Sequence, residues 1–196
     1  MAVLHRTTMV PTKLELLTSW LPRQDWFAGE AGAPSLAKVG GFRLDDPAGE
    51  VGIEFMVVRD DAAHGRAYLV PMTYRGSPLA SADPHLIGTS EHGVLGLRWI
   101  YDGTQDPVLL TQLADLIKGH AEAQAQSQSH TPDATVHATQ IAVPAGQRLS
   151  VSFARRLSPV ADAAATPDPG EVTGLWTATD GTLVRSLFAA ARSVIG

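Results

Sequence analysis

A chain of 196 residues is long enough to bury a sizeable core, as one large domain or two small ones. Its 44% hydrophobic and 18% charged residues give a globular composition, and a net charge of −5 with no block of Lys or Arg argues against a dedicated nucleic-acid binder, which needs a basic face. Without cysteine there are no disulfides, thiolate metal sites or cysteine nucleophile, and the apolar runs fall far short of the ~20 residues of a membrane helix.

Met1 to Pro11 has no sustained apolar segment after Arg6 and lacks the form of a signal peptide, so the expected location is the cytoplasm. Thr12-Lys13-Leu14-Glu15 then has the pattern of a capping box. Leu14, Leu17 and Leu21 share the face of a helix that Pro22 ends. After a Gly/Pro-rich loop from Gly29 to Pro34, Val51 to Val58 predicts a strand, with Val51, Ile53, Phe55 and Val57 on one side at period two. Ala67 to Tyr74 predicts the returning strand of a hairpin, and Val94 to Tyr101 a third strand ended by Asp102-Gly103. Asp106-Pro107 opens the clearest helix, an N-cap aspartate followed by proline where no amide is needed. Leu109, Leu110, Leu113, Leu116 and Ile117 form its apolar stripe, and Gly119 ends it.

The Ala-, Gln- and Ser-rich stretch from Ala121 to Ser129 predicts a linker or a frayed helical extension. Beyond it, Ala134–Val143 and Leu149–Leu157 predict strands around Pro144-Ala145-Gly146, and a loop runs from Ser158 to Gly170 before a strand over Val172–Thr177. Leu183, Val184, Leu187, Phe188, Ala191, Val194 and Ile195 fit one face of a C-terminal helix. The expected class is therefore α+β with a mainly antiparallel sheet. The expected division is 1–118, a linker over 119–133, and a smaller α+β part over 134–196.

Standard catalytic signatures are absent: there is no G-x-S-x-G, Walker loop, dinucleotide-binding glycine fingerprint or H-E-x-x-H. The seven histidines show no metal-ligand spacing on one element, so no metal or cofactor is expected. The densest polar segment holds Glu91, His92, Arg98, Tyr101, Asp102 and Asp106. A carboxylate–histidine cluster there suits acid–base work, and a hydrolase or isomerase built on Glu91, His92, Asp102 and Asp106 is the alternative function. Against it, Asp102-Gly103 is turn chemistry and Asp106 is already used as a helix cap. Tyr74-Arg75 closes a strand, where Arg75 suits bidentate anion binding or simple solvation. The four tryptophans suit a carbohydrate-stacking surface or, on general grounds, core packing. Tyr74, Arg75, Glu91, His92, Arg98, Tyr101 and Asp102 are thus the candidate ligand-binding residues, and no catalytic residue is assigned.

Three segments together carry a family resemblance. Trp20-Leu21-Pro22-Arg23-Gln24-Asp25-Trp26-Phe27-Ala28-Gly29 resembles the opening of maltokinases, Tyr68 to Gly76 resembles their Val-Pro-Leu-x-Tyr-Arg strand, and Tyr101 to Val108 is similar to their Tyr-Asp-x-x-x-Asp-Pro segment. The full pattern resembles that of small proteins described as maltokinase N-terminal cap-like. The resemblance implies a curved antiparallel sheet with a helix, likened to the cystatin fold. More weakly, Leu149 to Leu157 resembles a strand of the kinase lobe. In that register Ser152 stands where the family has its phosphate-contacting lysine, and Pro167 to Glu171 follows as a Pro-Asp-x-Glu segment leading towards a helix. Residues 134–196 would then be a degenerate kinase intermediate subdomain. Serine supplies no positive charge to phosphates, and the sequence has neither H-x-D-x-x-x-x-N nor D-x-D. The expected function is that of a non-catalytic accessory or regulatory protein acting through a protein partner or small ligand. By resemblance the partner is a sugar kinase or glucan enzyme. A self-associating homodimer is a third possibility.

Overall fold

The computed structural model describes residues 9–30, 32–126, 131–161 and 166–195. The start of the chain, part of the expected linker and part of the loop before residue 170 lie outside the described residues. Both anticipated N-terminal helices form, for local reasons. Helix α1 spans Lys13–Trp20, with Thr12 and Glu15 in a reciprocal capping box. A short 3-10 turn over Leu21–Arg23 follows, with Pro22 at its start. Helix α2 spans Pro107–Ile117, where Asp106 Oδ1 accepts from the Val108 amide at 2.9 Å. Gly119, at φ +77°, ends it, with its amide bonded to the Leu116 carbonyl.

The described residues form eleven strands, all of whose pairings are antiparallel. In chain order they are β1 Met9–Val10, β2 Leu36–Leu44, β3 Gly52–Asp60, β4 Arg66–Arg75, β5 Leu86–His92, β6 Gly96–Asp102, β7 His137–Ala138, β8 Gln147–Phe153, β9 Arg156–Leu157, β10 Glu171–Thr177 and β11 Leu183–Ile195. Their order in the sheet is β1-β5-β6-β4-β3-β2-β10-β11-β8. The α+β class with a mainly antiparallel sheet holds.

Alternation on the central strands sends side chains to two cores. On one face Met56, Val58, Tyr68, Val70, Met72 and Ile100 pack against Leu17, Trp20 and Leu21 of α1 and its following turn. On the other, Ile53, Phe55, Val57 and Leu69 pack against Leu109, Leu113, Leu116 and Ile117 of α2. The second core also takes in Val172, Trp176, Phe188, Ala189 and Ala191. One hydrophobic core therefore runs from the first part of the chain into the second.

The sheet also closes on itself. The chain leaving β8 passes its Ala154 amide to the Phe188 carbonyl, then its Arg155 carbonyl accepts from the Leu69 amide, and β9 pairs with Ala67 and Tyr68 of β4. The neighbours β4, β3, β2, β10, β11, β8 and β9 thereby form a ring. Its two halves join where Trp176 of β10 pairs with Gly40 of β2. A Cβ at Gly40 would stand 2.8 Å from the Leu175 carbonyl and 2.9 Å from Trp176 Cβ, so only glycine allows this approach. Gly41 beside it, at φ +116°, sits next to a register shift that bends β2.

Three expectations are corrected. The C-terminal segment is not a helix but the thirteen-residue strand β11. Thr173 pairs with Leu187 and Val172 with Ala189, so Phe188 is an extra residue in a bulge. The bulge shifts the inward set from Ser186 and Phe188 to Ala189 and Ala191, while Leu183 and Ile195 of the expected helical face are exposed. Of the strand expected over Ala134–Val143 only β7 forms. The Pro-Asp-x-Glu segment leads into strand β10, not into a helix. Within the expected linker, Gln124 exchanges two 2.9 Å backbone bonds with Arg43 and lies antiparallel to Pro132, so this piece packs on the edge of β2.

Candidate functional site

Tyr74, next to the end of β4, leads to a buried carboxylate, Glu54. Tyr74 donates its hydroxyl to Glu54 Oε2 at 2.6 Å, and Lys13 Nζ donates to the same oxygen at 2.5 Å. Lys38 Nζ and Gln126 Nε2 reach Oε1 at 3.3 and 3.0 Å. Burial pushes Glu54 up, but the charges of Lys13 and Lys38 with the bonds from Lys13 and Tyr74 outweigh it and hold the pKa down to about 2. Burial, then the charge of Glu54 and its hydrogen bond, keep the Tyr74 phenol well above the ordinary tyrosine range. This carboxylate has four donors. It is satisfied and locked.

Arg75 is equally committed. Its Nε and Nη2 donate to the two oxygens of Asp106 at 2.7 Å each, while Thr73 Oγ1 donates to Oδ2 at 2.8 Å. Asp106 is fully buried. Burial raises its pKa, yet the bonds from Arg75, Thr73 and the Val108 amide and the charge of Arg75 bring it below the ordinary value. The fork that suited an external anion is occupied by the cap of α2.

Asp102 pairs with Arg155 Nη2 and accepts from the Thr104 amide at 3.3 Å through its other oxygen. The Arg155 guanidinium lies over the Trp26 ring at 4.5 Å. Trp26 in turn contacts Trp20 and Tyr68, which places these aromatics in the core around α1. Tyr101 is fully buried, and its hydroxyl accepts from the Leu79 amide at 2.9 Å.

Glu91, His92 and Arg98 stand elsewhere, on the β5–β6 hairpin. His92 Nδ1 accepts from the amides of Val94 and Leu95, and Arg98 Nη2 donates to the Leu95 carbonyl at 2.7 Å, all of which shape the turn. His92 pairs with Gly96, so Asp102 lies six residues further along β6, about 20 Å at the rise of a strand. Glu91 shares a row with Leu97, whereas Asp102 has the parity of Ile100 and faces α1. Asp106 serves the face of α2. The proposed Glu91, His92, Asp102 and Asp106 constellation therefore does not converge, and the hydrolase or isomerase alternative fails on geometry.

Sequence reasoning missed Glu54 and Arg155. The signal for Glu54 was a lone charge inside the apolar run Val51–Val58; for Arg155 there was only its place at the end of a strand. A cavity of about 350 Å3 lies between the C-terminal end of α2 and the segments 121–123 and 132–140, and none of the sequence candidates line it. The hairpin tip carries exposed Val94, Leu95 and Leu97, with Val10 alongside. Among the described residues no group of three or more His, Asp or Glu could hold a metal ion, and no helix is long and apolar enough to cross a membrane.

Residues 20–106 match the family described as the maltokinase N-terminal cap domain. All three segments of resemblance fall in or at the edge of that match. No curated protein matches the chain.

Proposed function

We propose that this chain, a maltokinase N-terminal cap-like protein over residues 20–106, is a non-catalytic accessory protein of sugar or glucan metabolism that acts in the cytoplasm by binding a protein partner. The observation that carries this is the fate of its carboxylates. Asp102, Asp106 and Glu54, the buried acids nearest the family motifs, are each closed by Arg155, Arg75 or the Lys13–Lys38 pair. A general acid or base must reach a substrate proton, and these groups are spent on holding strands and helix ends together. The packing of α1 across β3, β4 and β6 also supports the cystatin-like description of the cap.

By resemblance the partner is a sugar kinase or glucan enzyme. The test is to titrate the purified chain into the phosphorylation assay of a maltokinase. A saturable change in rate or in substrate affinity supports the accessory role. An unchanged rate at a large excess of the chain, together with no co-migration in analytical ultracentrifugation, counts against a kinase partner.

A further inference from the structure

Strand β4 is covered on one edge by two different elements. Strand β6 pairs with it from Met72 to Arg75, and β9 pairs with it at Ala67 and Tyr68. Between them stands Arg155. Its carbonyl accepts from the Leu69 amide at 3.0 Å, and its side chain turns into the corner where β6 ends, pairing with Asp102 and lying on Trp26. This residue lies outside the family match, whereas Trp26, Leu69 and Asp102 all lie inside it. One side chain therefore ties two segments of the cap to the chain that follows.

We infer that Arg155 is a conformational latch, which holds the run from β8 to β9 across the cap and so closes the ring of strands at β4.

The supporting chemistry is local. Strand β9 has only two residues, too few to hold a sheet edge unaided. The Arg155 side chain is 14% exposed and Asp102 6%, so each charge is largely out of water and depends on the other. Nη1 is buried with no hydrogen-bond partner, which leaves the guanidinium well packed but incompletely satisfied. Burial accordingly holds the Arg155 pKa below its ordinary value despite Asp102. Removing the side chain loses the ion pair and the ring contact at once and leaves Asp102 buried without its cation. Neither charged group belongs to the cores around α1 and α2, and of the latched run only Leu157 is a buried core member, so the bulk of both cores remains assembled. The freed edge of β4 near Leu69 would then be open to another strand.

Amide hydrogen exchange on the full chain tests this with Arg155→Met and Arg155→Lys. In Arg155→Met the amides of Leu69 and of residues 155–157 are expected to exchange at least tenfold faster. The amides of α2 and of Phe55 and Val57 should stay within about twofold, as befits sub-global opening. Arg155→Lys, which keeps a cation for Asp102 and Trp26, should recover most of the protection. If Arg155→Met does not fold, Asp102→Asn removes the other half of the pair and should give the same local pattern. Uniform acceleration across both cores, or unchanged protection at Leu69, would overturn the latch. Neither outcome bears on whether the protein is catalytic.

Discussion

Glu54 shows how a single residue ties pH to stability. Its ordinary pKa is 4.5, and in the fold it is about 2 because two lysines and a tyrosine outweigh its burial. A depressed carboxylate contributes stability that is complete above its unfolded pKa and is lost as pH falls through the folded one. The window is thus about pH 4.5 down to 2, and the shift corresponds to about 3 kcal/mol. Glu54→Gln should lower the urea unfolding free energy by about that amount at pH 7, and the difference from wild type should shrink towards pH 2.5. A constant difference at both pH values would show that the charge is not the cause. Partners so distant are the reason this residue was not legible in the sequence. Lys13 is 41 positions away and Tyr74 20, and only the folded sheet brings them together.

Among elements, α2 was the easiest to foresee and β11 the hardest. Asp106-Pro107 contains its own instructions, since the N-cap and the missing amide act within two residues. What stayed hidden was that Asp106 also anchors Arg75 and Thr73, 31 and 33 positions away. Asp106→Ala should destabilise the protein by about 3–5 kcal/mol in chemical denaturation, because it strands a largely buried guanidinium as well as uncapping the helix. Asp106→Asn keeps the cap and should cost clearly less. For β11 the apolar residues that suggested a helical face are spread over both sides of a bulged strand, with Phe188 and Ala191 buried but Leu183 and Ile195 exposed. Strand β2 was masked in another way, by Gly40-Gly41 at its centre. Gly40→Ala should cost about 1–3 kcal/mol by thermal denaturation, since backbone atoms of β10 fill the space of the new methyl. Wild-type stability in that variant would mean that β2 and β10 are not in contact.

For the whole molecule, the expected order was helix, strands, helix, strands, helix; its last member is a strand, yet with the three family segments the rest was enough to point to the cap match and a mainly antiparallel sheet. The closure of the ring was not, because Gly40 meets Trp176 and Leu69 meets Arg155 only through contacts between distant parts of the chain. The same closure explains why the candidate site dissolved. Residues grouped in sequence from Glu91 to Asp106 are dealt out to both faces and both ends of a hairpin, and the ion pairs that remain serve to join elements. A fragment of residues 1–118 loses Val172, Phe188 and Ala189 from the core it shares with α2, and should show poorly dispersed amide resonances where the full chain is well folded. The most direct test of a binding rather than catalytic protein is phosphate release from Mg-ATP with maltose, glucose or glucosamine as acceptor. The account predicts turnover indistinguishable from buffer after rigorous repurification. Magnesium-dependent turnover that persists through repurification, and disappears when a residue of this chain is substituted without loss of folding, would contradict it.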